Sequence, residues 1–217
     1  MLFEKNMGSR LSIDEVSLTK GELYTVITNK SAHGKQGALV AMIEGTKVED
    51  VLKVLNQIND LKRMCVTEAT LDMTQNMEAI VREAFPFARV TTDRFHVQQL
   101  ITEAIQEVRM TYRRKAIKDE NRAIKRAKKN GTKYKAKVYE NGDTKKQLLA
   151  MSRYLLFKPR SKWTEKQEAR ANILFREFPK IEHSYNISMS FRNIYETSKT
   201  IDEAKGRLEK WYKKNRR

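Results

Sequence analysis

Four residues of this chain have types and positions suited to chemistry on a charged substrate: Asp14, Asp72, Asp93 and His96. Val66–Leu71 reads as an extended run ending on the carboxylate of Asp72, and Ala88–Thr92 leads in the same way to Asp93. Carboxylates at the exits of neighbouring strands lie where the crevice of an α/β sheet opens, which is where ligands and metal ions bind. Asp14 falls in the middle of an earlier strand-like run, Leu11-Ser-Ile-Asp-Glu-Val-Ser-Leu18. Two carboxylates on adjacent strands can share a pair of divalent ions about 3.5–4 Å apart, clamping the attacking and leaving oxygens of a phosphoryl displacement. Mg²⁺ (or Mn²⁺) suits such an oxygen-donor set. Plainer roles remain open to the same residues. A strand-terminal Asp also forms turns or caps the next helix, and Asp93 can cap the helix that follows, with His96 packed one turn in.

The elements that must position these residues are legible as alternating and helical patterns. Leu11–Leu18 and Leu23–Thr28 read as a hairpin around a turn at Thr19–Glu22, and Ala38–Ile43 as a third strand. Thr46 is placed to cap a helix whose apolar positions Val48, Val51, Leu52, Leu55 and Ile58 recur at helical spacing, with Glu49 at the capping-box position. Met64–Asp72 reads as the fourth strand. Thr74 can cap a short helix with Met77, Ile80, Val81 and Ala84 on one face, and Ala88–Thr92 is the fifth strand. The order β-β-β-α-β-α-β-α belongs to an α/β fold built on a mixed sheet. From Phe95 onward only helical periodicity persists. A long helix runs through Val97, Ile101, Ile105, Val108 and Tyr112 to a stop at Asn130-Gly131, and four further helical segments end near Tyr212.

Charge divides the chain in two. The formal net charge is +17, but residues 1–97 hold 12 Lys and Arg against 13 Asp and Glu, whereas residues 98–217 hold 32 against 14. A near-neutral piece with candidate metal ligands followed by a strongly basic one suits chemistry on a polyanion. Arg113, Arg114, Lys115, Arg122, Lys125, Arg126, Lys128 and Lys129 are candidates to neutralise DNA phosphates. Tyr112, Tyr134, Trp163 and Trp211 can either stack on bases or pack between helices. Cys65 is the single cysteine, which rules out an internal disulfide and a zinc ligand set. No run approaches the ~18 apolar residues of a membrane span, and the expected location is the cytoplasm.

Several stretches together resemble bacterial insertion-sequence transposases of the DDE class, more narrowly the ISL-three family and within it the ISAon group. The matching residues are Leu11–Val16, Tyr24–Lys35, Thr67–Met73, Thr92–Leu100 with its Asp93-Arg-Phe-His96 element, Tyr139–Leu149, and Phe157–Pro159 leading into Lys162-Trp-Thr164. The resemblance implies an RNase H-like catalytic core over residues 1–97 and a basic all-α insertion domain over 98–217. It implies that Asp14 and Asp72 are the first two catalytic carboxylates and metal ligands, with Asp93 and His96 supporting them. DNA, as transposon ends and target, is the implied substrate, and a two-metal Mg²⁺ or Mn²⁺ site the implied cofactor. In such families a third ligand, a Glu on a late helix beside an Asn-rich motif, completes the site. Glu196, Glu203 and Glu209 lack that neighbourhood. The expectation is therefore a C-terminally truncated chain, catalytically incomplete by itself, with end recognition supplied by a separate polypeptide and self-association in a DNA complex. Two other readings stay open: a non-catalytic DNA-binding remnant or regulator, and a stand-alone RNase H-like nuclease.

Overall fold

A computed structural model describes residues 1–18 and 21–216. Thr19 and Lys20 of the expected first turn, and Arg217 of the basic tail, lie outside them. The chain divides into two compact units, residues 1–97 and 98–217.

The first unit is a five-stranded mixed sheet of order β3-β2-β1-β4-β5, built from β1 (Arg10–Ser17), β2 (Leu23–Asn29), β3 (Leu39–Glu44), β4 (Glu68–Leu71) and β5 (Arg89–Thr92). The pairs β1–β2 and β2–β3 are antiparallel; β1–β4 and β4–β5 are parallel. Alternation along the strands sends Leu11, Ile13, Ile27, Ala69 and Leu71 to one face, where each is buried. Two amphipathic helices cover that face, α1 (Val48–Leu55) through Val51, Leu52 and Leu55, and α3 (Gln75–Ala84) through Met77, Ile80 and Val81. Burying each such aliphatic side chain contributes about 1.5–3 kcal/mol, which holds the sheet flat against its helices. Residues 1–3 run along the outer edge of β3. Phe3 donates its N–H to the Val40 carbonyl at 2.7 Å, and Leu2 bridges Ala41.

Three local expectations are corrected, one of them at Thr74, which stands at the cap position of α3 without a side-chain cap hydrogen bond. Thr46 does not cap α1: Lys47 occupies the cap position and no side chain closes it. A short helix, α2 (Asp60–Met64), stands where the fourth strand was expected to begin. Its cause is polar: Asn59 Oδ1 accepts from the Leu61 N–H at 2.9 Å, while Glu4 accepts from the Asn59 N–H at 3.2 Å and pairs with Lys62 at 3.3 Å.

All the described helices of the second unit pack without a sheet. The long helix α4 (Arg94–Lys129) begins in the first unit and lies mostly in the second, ending at Asn130-Gly131 as its sequence predicts. It is followed by α5 (Lys145–Met151), a 3-10 turn over Leu155–Phe157, α6 (Glu165–Glu177), α7 (Pro179–Thr197) and α8 (Ile201–Asn215). Their core gathers Ile105, Leu148, Leu149, Leu156, Leu174, Ile181 and Tyr185. Trp163 packs there, 5.4 Å from the Tyr185 ring, and donates its indole N–H to the Leu155 carbonyl at 2.8 Å. Trp211 rests on Phe191 at 5.1 Å and Tyr112 on Phe178 at 5.0 Å, so packing is what these three aromatics do.

Thr144 starts α5 with a complete capping box, in which its hydroxyl accepts from the Gln147 N–H and the Gln147 side chain accepts from the Thr144 N–H. Thr144→Ala removes one of those bonds, and urea unfolding is expected to show a loss of about 1 kcal/mol.

Candidate functional site

The site is set by strand register. In the parallel β1–β4 ladder every pair, from Arg10 with Glu68 to Ile13 with Leu71, is offset by the same 58 residues that separate Asp14 from Asp72. The next rung therefore sets Asp14 beside Asp72, on strands about 4.8 Å apart. The β4–β5 ladder pairs Glu68 with Arg89 and Leu71 with Thr92, so its next rung sets Asp72 beside Asp93. The Asp93 N–H donates to the Leu71 carbonyl at 2.8 Å, which extends that ladder to this level. Asp14 within β1, Asp72 one residue past β4 and Asp93 one residue past β5 thus stand at one level of the sheet.

Each carboxylate is held differently. Asp14 Oδ1 accepts from the Glu15 N–H at 2.9 Å, and Asp72 Oδ1 accepts from the Met73 N–H. Asp93 Oδ1 accepts from the Phe95 N–H at 2.8 Å, so Asp93 closes the first turn of α4. That turn brings His96 back over the row. Its Nε2 lies 3.8 Å from Asp14 Oδ1 and its Nδ1 3.9 Å from Asp72 Oδ1. The two aspartates of the expected pair consequently converge on one ring. His96 is three-quarters buried, whereas Asp14 keeps about half of its side-chain surface in solvent, which leaves the pair approachable.

Two rungs below, the polar face is locked by a residue that sequence reasoning passed over. Lys30 donates to Thr70 Oγ1 at 2.6 Å and to Glu68 Oε1 at 3.0 Å. Glu68, Thr70 and Asp72 alternate along one strand, and that period of two was the available signal for a continuous polar row. The Lys30 hydrogen bond, acting against burial, holds the Glu68 carboxyl below its ordinary value of 4.5.

The pair fits a divalent cation. Both carboxylates offer an oxygen beyond the one tied to backbone, and hard oxygen donors suit Mg²⁺ or Mn²⁺. Among the described residues no group of three or more His, Cys, Asp or Glu is gathered tightly enough to hold a metal by itself. His96 lies 3.8 and 3.9 Å from one oxygen of each carboxylate, beyond direct hydrogen-bond distance.

The basic candidates of the second unit lie on α4. Arg114, Lys115, Arg122, Lys125, Arg126, Lys128 and Lys129 are exposed, whereas Arg113 is half-buried. From Lys115 to Lys129 they run along about 21 Å of helix, the length of about six base-pair steps. Among the described residues no helix is long and apolar enough to cross a membrane.

The Lys30–Glu68 contact makes a pH-dependent prediction. A depressed folded-state pKa stabilises the fold above the ordinary Glu value, and the effect is lost as pH falls through the folded value. Lys30→Met should therefore lower unfolding stability at pH 7, with the deficit closing as pH falls through the depressed Glu68 value into strong acid. A deficit unchanged between pH 7 and strong acid would contradict this.

A family model described as transposase, that of the ISL-three insertion sequences, matches residues 11–217. Two curated relatives, transposases for insertion sequence element IS1557 from Mycobacterium tuberculosis strains CDC 1551 / Oshkosh and ATCC 25618 / H37Rv, are each 26% identical over 206 residues. The match covers 93% of this chain and 44% of each relative, so the chain spans less than half of their length. The sheet and helices of the first unit agree with an RNase H-like α/β fold. With a matching model over nearly all its length, this chain belongs to the ISL-three family of insertion-sequence transposases.

Proposed function

We infer that Asp14 and Asp72 are the first two carboxylates of a DDE-type DNA strand-cleavage and strand-transfer site, and that residues 98–217 form a basic insertion domain gripping the DNA backbone. The observation that carries this reading is the in-register aspartate pair with His96 against both members. A Mg²⁺ or Mn²⁺ ion held by this pair would supply Lewis-acid stabilisation to phosphodiester cleavage. The chain's own residues do the positioning. Asp14 and Asp72 would hold the ion, His96 stands against one oxygen of each, and Asp93 fixes the helix turn that carries His96.

A two-metal clamp needs more ligands than two carboxylates provide. Strand cleavage on this reading requires a third carboxylate to join the pair. The partners it calls for are transposon ends and target DNA, a separate end-recognition polypeptide, and further copies of the chain in a DNA complex. A second reading, a non-catalytic DNA-binding regulator of an intact transposase, is favoured by the cationic stripe of α4, which needs no carboxylate to act.

Metal and DNA binding separate the two. Mn²⁺ at ten times its Kd is expected to stabilise the chain by about 1.4 kcal/mol in thermal unfolding, and Asp14→Asn with Asp72→Asn to abolish that gain. No Mn²⁺ effect on the unsubstituted chain would remove the metal site and leave the regulator. Duplex DNA affinity is expected to survive the Asn substitutions and to fall with salt. Replacing Arg122, Lys125 and Arg126 by Gln should reduce the slope of log K against log[salt] by about 2–3.

A further inference from the structure

Strand pairing in the first unit stacks side chains into rungs, and on the face turned away from α1 and α3 successive rungs differ in chemistry. Arg10 and Ser12 alternate with the buried Leu11 and Ile13 along β1, so they stand on that face with Asp14 next in line. The ladders pair Ser12 with Thr28 on one side and with Thr70 on the other, and Thr70 with Thr91. That rung is made of hydroxyls from four strands. The rung below it pairs Arg10 with Glu68 and Glu68 with Arg89. Lys30 lies one step past the Leu11–Asn29 pair, which sets it at the same level. Three cations thus stand around one carboxylate.

That carboxylate is already satisfied. Lys30 donates to Glu68 Oε1 at 3.0 Å, while the Arg89 guanidinium lies 3.7 Å from Oε2. Arg10 makes no hydrogen bond or close ion pair among the described residues. Both arginines are exposed, and Arg89 keeps 71% of its side-chain surface in solvent. The rung therefore carries a surplus of positive charge that an anion from solvent can reach.

Its place along β1 says which anion. Arg10 and Asp14 are separated by about 13 Å of extended chain. One strand of a DNA duplex presents a phosphate every ~3.4 Å of its axis, so about four phosphates fit within that length. A strand with a phosphodiester at Asp14 and Asp72 must run on past them, and Arg, Ser and Thr side chains are common donors to phosphate oxygens. An acidic polypeptide would need the cations alone. The hydroxyl rung between them and the aspartates suits a chain that is anionic at every step.

We propose that this sheet face is a track for the DNA strand being cut, along which Arg10 and Arg89 hold a backbone phosphate about 13 Å from the Asp14–Asp72 pair. The track lies in the first unit and is distinct from the cationic stripe of α4. It rests on the strand-cleavage reading above and deepens it, because it gives the substrate a direction across the site.

The test is fluorescence anisotropy of the full 217-residue chain with a labelled duplex of about 20 base pairs, over a series of KCl concentrations. Arg10→Gln with Arg89→Gln is expected to lower the slope of log K against log[salt] by about 2 and to weaken binding about tenfold at ~100 mM KCl. Lys47→Gln with Lys53→Gln removes the same charge from exposed positions at α1, on the helix-covered side of the sheet, and should change the slope by less than about 0.5. Thermal unfolding of both variants checks that the sheet is intact. An unchanged slope in the arginine variant, as an acidic polypeptide partner would give, or an equal loss in the lysine variant, would overturn the track and leave the cleavage reading to its Mn²⁺ test. Absence of duplex binding by the unsubstituted chain would overturn both.

Discussion

The parallel register between β1 and β4 is the constraint on which the rest depends. Side chains alternate along a strand, so a slip of one residue would turn Asp72 into the helix-covered core and bring Leu71 to the polar face. Leu11, Ile13, Ala69 and Leu71 forbid that slip, because all four are buried against α1 and α3 and would have to enter water together. The apolar face thus fixes the polar one. The ion pair and hydroxyl contact made by Lys30 reinforce the same register from the other side, where Glu68 and Thr70 lie in line with Asp72.

Much of this was legible in the sequence, for reasons that can be named. Strand β1 alternates roughly, β2 continues an extended pattern and β3 is an apolar run of strand length, and the apolar positions of α1 and α3 recur at helical spacing, so the β-β-β-α-β-α-β-α order was recoverable. The short helix α2 was not, because five residues cannot show a period and its start depends on Asn59 being held by Glu4, 55 positions away. The convergence of Asp14 with Asp72 was an inference from strand ends. What the sequence could not state was the offset, since parallel pairing is set by packing across the whole sheet and leaves no local mark. Asp93 was open between two roles. The Phe95 N–H bond shows it capping α4, and the helix so started carries His96 to 3.8 Å from Asp14 and 3.9 Å from Asp72.

In the second unit the least legible residue was Arg109. A guanidinium within an apolar stripe reads at first as a break in the pattern, yet its stem packs in the core while its head ties the Leu149 carbonyl and Gln106. The tryptophans show the converse. Their aromatic bulk permits stacking on bases, but Trp163 and Trp211 each direct the indole N–H inward to a carbonyl or hydroxyl.

The cover laid by residues 1–3 along β3 has a consequence for crowded chains. A bare strand margin invites another polypeptide to continue the sheet, and copies concentrated on one polyanion would meet often. On one margin the main chain of Phe3 already occupies the Val40 carbonyl. On the other, β5 is only four residues long and carries Arg89, which discourages a like-charged neighbour from adding a strand. Both margins of the sheet thus disfavour its continuation by another strand.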